Sequence, residues 1–455
     1  MIEEDITTSP SALDGASEQQ RDENTVSVVL TADNHLGSTS FGQQPRKREE
    51  RQQRLRLAFQ QATDFAIEKG VDLFIQAGDL FDTVMPHERD RSFVAERLAQ
   101  LRQAGIRTFA LGGVHDTPVE THSYLHNDAQ APQVSYARLG ALHYFTPVPN
   151  SVELEPALIR VREVLVGICG LGVLAGQEGN PLARLRVQPD IKQAHIPLLI
   201  LHAPIEGLST GSSLLDTLAQ VSRSSIENQT DFRYILAGYH HRYHHLQIGS
   251  CHIIVAGATQ HIDFSNADGS QEADGVTESN APGFVFLGLA ADGMRWCEHI
   301  TVDAPPLQRL IIRAPELWSD AATSPTETML ERLRPLCNEE AMLQLRLVGQ
   351  ITRDEYHQLD LNQIRRYGEE HCFALAIDDS ELAILPIDLS FAKDEAVTIE
   401  GGSHAPKIER LSPREELLTL LDEWLAGTND ESEQKALRAT REELLAAMEE
   451  IKTRR

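Results

Sequence analysis

Aspartate and histidine residues follow five apolar segments of this chain, and such side chains can bind a divalent cation. The first apolar run, residues 26–30, is followed by Asp33 and His35. On an extended backbone, residues i and i+2 point to the same side, so this acid and this imidazole could share one ion. The other four segments are followed by Asp79, by the pair His115 and Asp116, by His202, and by the pair His240 and His241. The recurrence predicts one shared site.

Hydrolysis of a phosphodiester is the chemistry that this set of residues favours. The reaction needs a nucleophilic hydroxide and neutralisation of the charge on the phosphoryl oxygens. Two cations about 3.5–4 Å apart supply both, because they lower the pKa of bound water and clamp the phosphoryl group. His115, with the carboxylate of Asp116 beside it, is a candidate general acid or phosphate-contacting donor.

The elements that would position these side chains alternate between strand and helix. The segment from Pro45 to Gly70 has apolar residues at helical spacing and lies between two apolar strands. This β-α-β order predicts an α/β fold with parallel strands, whose carboxyl ends collect the functional loops. A later β-hairpin is indicated by the turn Asp292-Gly293.

Changes in composition and hydrophobic pattern along the chain predict four regions. Residues 1–25 are acidic and polar and are expected to be a disordered tail, without the apolar core of a signal peptide. Residues 26–305 are expected to form the domain that carries the site, and residues 306–400 a smaller α+β domain. Residues 401–455 predict a helical hairpin whose apolar stripe could dock on its own domain or, as we favour, on the helices of a partner.

The net charge indicates which ligands the protein can attract, and the cysteines indicate the compartment in which it works. A net charge of −27 argues against general attraction to nucleic acid or anionic membrane, so any DNA contact needs a bound cation or a local basic patch. The five scattered cysteines indicate reduced thiols, and no run reaches the roughly 18 apolar residues of a membrane helix. We therefore expect a cytoplasmic protein.

The start of the first long helix is the one basic patch that stands out. Residues 45–56 contain six Lys or Arg against two Glu. The candidates for contact with a DNA backbone are Arg46, Lys47, Arg48 and Arg51. Of the two interpretations, we favour an ordinary solvated helix face over contact with DNA.

Taken in order, the motifs ADNHLG, AGDLFD and GGVHD, His202 and the GYHH cluster resemble the calcineurin-like metallophosphoesterases. In spacing they are most similar to the nuclease subunit of the bacterial SbcCD complex. The resemblance implies a β-sandwich core flanked by helices in four α/β/β/α layers, with a small capping domain that binds DNA. It also implies a DNA repair exonuclease or endonuclease that uses Mn²⁺, acts on DNA ends or hairpins, forms a homodimer and binds an SbcC-type ATPase through its C-terminal helices.

The same resemblance implies the roles of the site residues. One metal would lie among Asp33, His35, Asp79 and His241. Asp79 would bridge to a second metal, where His202 is also expected. His115 would assist the leaving group without binding metal, and Asp116 would orient its imidazole.

Two departures from the family pattern affect the second metal. Val114 stands where the family has an asparagine ligand, and Tyr239 stands where it has a histidine ligand. Tyr239, His240 or His244 could substitute. This loss suggests a second possible function, a catalytically weakened structural subunit that binds DNA or the ATPase. A third possibility is a phosphoesterase for small molecules, because the core fold serves many substrates and the net charge disfavours DNA.

Overall fold

The computed structural model describes residues 24–41, 45–118, 130–147, 153–172, 179–208, 219–267, 276–319 and 323–385. All of them belong to the first of two compact units, residues 1–389. Almost all of the predicted N-terminal tail and the whole of the predicted C-terminal helical hairpin lie outside the described residues. No helix in the described ranges is long and apolar enough to cross a membrane.

Eighteen strands and eight α-helices form the described part of the chain. The strands are β1 Val26–Thr31, β2 Leu73–Ala77, β3 Arg107–Leu111, β4 His143–Phe145, β5 Glu153–Leu154, β6 Ala157–Val161, β7 Val164–Gly172, β8 Arg186–Val187, β9 Ile196–His202, β10 Tyr234–Gly238, β11 Tyr243–Ile248, β12 Cys251–Val255, β13 Val276–Ser279, β14 Gly283–Ala290, β15 Gly293–Thr301, β16 Leu307–Arg313, β17 Met342–Thr352 and β18 Ala374–Leu385. The helices are α1 Pro45–Lys69, α2 Glu88–Gln103, α3 Gln133–Arg138, α4 Arg223–Asn228, α5 Ala314–Leu317, α6 Pro325–Leu333, α7 Arg353–His357 and α8 Leu361–His371.

Two large mixed sheets form the centre of the fold. The first has the order β15-β14-β1-β2-β3-β4, in which β1 to β4 are parallel. The second has the order β13-β11-β12-β10-β9-β7-β6, with β7, β9, β10 and β12 parallel. The predicted α/β class is therefore confirmed, and β14 and β15 form the predicted antiparallel hairpin. The acidic, Ser/Asn/Gly-rich composition of residues 265–280 predicts a solvated loop, and this prediction is wrong for β13, which extends the second sheet.

The two sheets pack face to face over a dry core. Leu30 and Ile75 of the first sheet share one buried cluster with Ile168, Ile200 and Leu236 of the second. Alternation along each strand sends the intervening residues to the opposite face, where they meet helices. Burial of both faces explains why the central strands are apolar throughout their length.

Helices α1 and α2 cover the outer face of the first sheet. Phe59 of α1 packs against Phe74 of β2 in a second buried cluster that also contains Val94 and Leu98 of α2. Helix α1 ends one residue before Gly70, which has a φ of +57° and allows the chain to turn back. The outer face of the second sheet carries the short helix α4 and 3-10 turns, and the result is a layered sandwich.

A third sheet, β16-β17-β18, is fully parallel and is covered by α5 to α8. Side chains from both parts connect it to the sandwich, Lys47 and Arg309 among them. Lys47 of α1 donates from Nζ to the carbonyls of Glu369 (2.8 Å) and Cys372 (2.7 Å) at the end of α8. Arg309 of β16 donates to the carbonyl of Phe264 at 2.7 Å.

Candidate metal centre

The loop after β1 places Asp33 and His35 side by side. Their φ angles are +47° and +45°, so both residues have left-handed backbone conformations and not the extended one that the alternation argument assumed. The Asp33 amide donates to the carbonyl of Gly78 (3.0 Å) and the His35 amide to that of Asp79 (3.1 Å). The two side chains therefore converge because the β1 and β2 loops bind each other.

The loop after β2 contributes Asp79, which also has a positive φ of +52°. Its Oδ1 accepts a hydrogen bond from the amide of His115 (2.9 Å), and its Oδ2 lies 3.2 Å from Nε2 of His202. The preceding Gly78 leaves the space for that imidazole, since a Cβ there would lie 2.1 Å from Nδ1 of His202. Glycine at this position is a requirement of the site.

The second sheet contributes His202 at the end of β9 and His241 just after β10. The Nδ1 of His202 lies 2.8 Å from the carbonyl oxygen of Ala77, and the Nδ1 of His241 lies 2.8 Å from a carboxylate oxygen of Asp263. The Nδ1 of His35 lies 2.9 Å from Asp82. In all three imidazoles Nδ1 faces an oxygen acceptor, so Nε2 is left with its lone pair for a metal.

These side chains form overlapping groups whose ligand atoms lie within 4.8 Å of one another. The groups are Asp33, His35 and His241; Asp33, Asp79 and His202; and His35, Asp79 and His115. The Nε2 of His35 is buried without a hydrogen-bond partner, and the buried Nε2 of His202 faces the Asp79 carboxylate at 3.2 Å. Buried imidazole nitrogens beside two buried carboxylates are the donor set of a divalent-metal site, so the residues present fit the expected ions.

The electrostatics of the cluster reflect the same arrangement. Burial raises the pKa of Asp33, whereas the nearby imidazoles, His202 first, hold the pKa of Asp79 below its usual range against the effect of burial. Burial alone would lower the pKa of His202 and of His241, but Asp79 and Asp263 respectively raise each pKa to about 9. Each carboxylate thus favours the charged form of the imidazole beside it, Asp79 for His202 and Asp263 for His241.

His115 lies at the open edge of the cluster, with 45% of its side chain exposed. Its ring packs edge-on against that of His35, and its Nδ1 lies 4.0 Å from Asp82. The prediction that Asp116 orients this imidazole is wrong. Asp116 is buried, accepts hydrogen bonds from the amides of Gly113 (2.9 Å) and Phe81 (3.2 Å), and holds the turn after β3. Burial raises its pKa to about 6.

The two departures seen in the sequence lie in different loops. Val114, in the turn after β3, offers no coordinating atom. Tyr239 is buried with a φ of +82°, its amide donates to the carboxylate of Asp33, and its ring contacts His202. Among the described residues, the ligand groups include neither His240, whose Nε2 accepts from the amide of Ile205 (2.9 Å), nor His244 in β11. These two histidines are therefore not placed as substitutes.

The basic start of α1 is only partly available to a ligand. Arg46 and Arg48 are exposed. Arg51 is fully buried and donates to the carbonyl of His261, and Lys47 is half-buried on the two carbonyls at the end of α8. The DNA-contact prediction is thus wrong for Arg51, and the charge of Lys47 is already bound within the protein.

Two acidic residues that support the ligands were missed by the sequence prediction. Asp82 follows Asp79 by three residues, and that spacing could have suggested its contact with His35. Asp263 lies 22 positions after its partner His241, in the segment after β12, and no local pattern in the sequence marks it. Its role depends on how that segment packs beside the second sheet.

The part of the chain that carries these residues is similar in sequence to known proteins. The sequence model of the calcineurin-like phosphoesterase family matches residues 26–242. DNA double-strand break repair protein Mre11 of Thermoplasma acidophilum is 36% identical over 84 residues, which cover 18% of this chain and 22% of that protein. The Mre11 protein of Sulfolobus acidocaldarius is 24% identical over 173 residues, 38% of this chain and 41% of that protein. The matches thus span less than half of either relative.

Among solved structures, a dimetal phosphatase from Danio rerio has a TM-score of 0.31 and 13% identity over 61% of this chain and 99% of that chain.

Proposed function

We propose, from the premise that residues 26–242 form a calcineurin-like phosphoesterase domain, that this protein hydrolyses phosphodiester bonds in DNA with divalent metal ions, Mn²⁺ in particular. The observation that carries the proposal is the convergence of three imidazoles on the carboxylates of Asp33 and Asp79. The choice of DNA as substrate is supported by the partial similarity to the two archaeal repair proteins. Imidazole and carboxylate together suit Mn²⁺, Fe²⁺ or Zn²⁺.

The residues of this chain would divide the work between binding the ions and handling the substrate. Bound ions would supply a hydroxide at neutral pH and neutralise charge on the phosphoryl oxygens. Asp79 lies between the His35 and His202 sides, where one carboxylate can serve both. The exposed imidazole of His115 is placed at the open edge, where it can donate a hydrogen bond or a proton to the departing oxygen.

The experiment compares three substrates with Mn²⁺ and with chelator, namely linear duplex DNA, a DNA hairpin and a chromogenic phosphodiester. We expect metal-dependent cleavage of DNA. The His115→Gln variant is expected to lose about 100-fold or more, within the range for a general acid, and to keep its bound metal. Turnover of the chromogenic ester without DNA cleavage would favour a small-molecule phosphoesterase and overturn the DNA proposal.

A catalytically weakened subunit that binds DNA or a partner is the second candidate, and Val114 and Tyr239 are the observations that favour it. The double reversion Val114→Asn with Tyr239→His adds an amide in the turn after β3 and an imidazole beside His202. If the natural site is impaired, this variant gains bound metal and cleavage rate together. If the wild-type protein already cleaves rapidly with two ions per chain, the second candidate is excluded.

The partner and the assembly are further proposals. We propose that residues 401–455 bind an SbcC-type ATPase and that the chain acts as a homodimer on DNA ends or hairpins. Coexpression with such an ATPase tests the first point, because removal of residues 401–455 should abolish copurification and leave metal binding intact. Light scattering of the full chain tests the second.

A further inference from the structure

The segment from Gln260 to Phe264, here called the 260 loop, connects three parts of the protein. Gln260 donates to the carbonyl of Asp303 at 2.8 Å. Arg51 of α1 donates to the carbonyl of His261, and Arg309 of β16 donates to the carbonyl of Phe264 at 2.7 Å. The backbone carbonyls of the loop are therefore held by a side chain from α1 on one side and by a side chain from the third sheet on the other.

One side chain of the 260 loop faces the metal centre. The carboxylate of Asp263 lies 2.8 Å from Nδ1 of His241, although 40% of the Asp263 side chain is exposed. His241 is the ligand whose group contains Asp33 and His35, the side of the cluster that keeps all of its expected ligands. A carboxylate on Nδ1 fixes the tautomer and the orientation of a metal-binding imidazole and increases its basicity.

The geometry points to a positioning role that extends beyond the sandwich. We propose that Asp263 positions His241 for the metal, and that the third sheet sets Asp263 through the hydrogen bond from Arg309 to the adjacent Phe264 carbonyl. The affinity for the metal bound by Asp33, His35 and His241 then depends on whether the third sheet contacts the 260 loop.

The contacts around Arg309 support this connection. Its Nε donates to Oε1 of Gln344 in β17 at 2.6 Å, so the guanidinium is braced by the neighbouring strand while Nη2 reaches the loop. The ring of Phe264 packs edge-on against Phe41, with centroids 5.0 Å apart, and Arg51 lies over the Phe41 ring. Because Phe264 is fixed at both backbone and side chain, Asp263 has little freedom to follow a displaced His241.

The inference rests on the proposed metal site but not on the proposed DNA substrate. The test therefore measures Mn²⁺ affinity of the full chain by calorimetry, without DNA. We expect Asp263→Ala to weaken binding about 10- to 100-fold, in the range for loss of a carboxylate behind a histidine ligand. Asp263→Asn keeps an acceptor for Nδ1 and should recover most of that loss, which a defect of folding would not allow.

Arg309→Ala examines the connection to the third sheet. It should weaken Mn²⁺ binding several-fold in the wild-type background and have no further effect in the Asp263→Ala background. The matched control is Arg313→Ala, on the same strand, where an exposed guanidinium lies 3.7 Å from the carboxylate of its neighbour Glu316. This control should bind Mn²⁺ like the wild type.

Three outcomes would overturn the inference. The first is that Asp263→Ala binds Mn²⁺ as tightly as the wild type, and the second is that the wild-type chain does not bind Mn²⁺. The third is that Arg309→Ala weakens Mn²⁺ binding equally in the wild-type and Asp263→Ala backgrounds. If the Asp263 and Arg309 variants change Mn²⁺ affinity as expected but the wild-type protein does not cleave DNA, only the proposed substrate is overturned. Thermal melting of each variant identifies a fold defect, and Asp263→Asn then remains the deciding variant.

Discussion

At the scale of single residues, the metal centre is built on unusual backbone conformations. Asp33, His35, Asp79 and Tyr239 all have positive φ angles, and each such conformation costs about 1–3 kcal/mol for a residue other than glycine. The sequence predicted that these side chains meet, because each one follows an apolar strand. It could not predict left-handed turns, because the Asp-x-His spacing is equally compatible with an extended strand.

Gly78 gives the sharpest prediction at this scale. A Cβ at Gly78, where φ is +99°, would lie 2.1 Å from Nδ1 of His202. We expect Gly78→Ala to displace His202 and to weaken Mn²⁺ binding at least about tenfold, the lower end for disturbed support of a ligand. Calorimetry and elemental analysis measure the loss.

Gly105→Ala is the matched control for that variant. Gly105 also has a positive φ, +78°, but a Cβ there would meet no atom within 4 Å. The control should therefore lose some stability through backbone strain and keep full Mn²⁺ affinity. Equal metal affinity in the two variants would contradict the role assigned to Gly78.

At the scale of elements, strand order explains which predictions succeeded. The parallel strands β1, β2 and β3 end at one edge, and β9 and β10 bring His202 and His241 to the same place from the second sheet. Such convergence follows from the α/β pattern alone. Asp263 could not be found in this way, because its contact depends on the packing of a late loop between α1 and β16.

A buried imidazole in β11, His244, and a half-buried one in β15, His299, predict a pH dependence of stability. Burial lowers the pKa of His244 and of His299 to about 4. In the unfolded chain both would have a pKa of about 6.5, so the unfolded state binds more protons between those two values. Their contribution to stability is therefore present above pH 6.5 and is lost as the pH falls towards 4.

The variant His299→Gln isolates one of these contributions. Wild-type protein should lose free energy of unfolding between pH 6.5 and 4, with each unit of pKa difference worth at most about 1.4 kcal/mol. The variant should show a smaller loss over the same range, measured by urea unfolding at each pH. Parallel curves for the two proteins would show that His299 does not titrate with folding.

At the scale of the whole molecule, charge limits how the protein can hold DNA. The net charge is −27, and part of the basic cluster on α1 serves internal contacts of Lys47 and Arg51. The composition indicated that contact with DNA would need a bound cation or a local patch of basic residues. It could not show which cations are buried, because burial of Arg51 depends on the 260 loop.

The exposed residues Arg46 and Arg48 carry the prediction at this scale. If each contacts a phosphate, replacement of either one by alanine should weaken binding to DNA of any sequence. It should also reduce by about 1 the slope of the logarithm of the binding constant against the logarithm of the salt concentration. Binding of a labelled duplex over a range of salt concentrations measures the slope. Arg186→Ala, an exposed cation in β8, is the control and should leave the slope unchanged.

The measurement that tests the central claim most directly is the Mn²⁺-dependent rate of phosphodiester cleavage in linear duplex DNA by wild type and by Asp79→Asn. Asp79 lies 3.2 Å from His202 and 3.9 Å from His35, and removal of its charge should disturb both sides of the centre. We predict a loss of at least about 100-fold, comparable to removal of a group that stabilises the transition state, with no loss in the exposed control Asp292→Asn. Equal rates for Asp79→Asn and wild type would contradict the account.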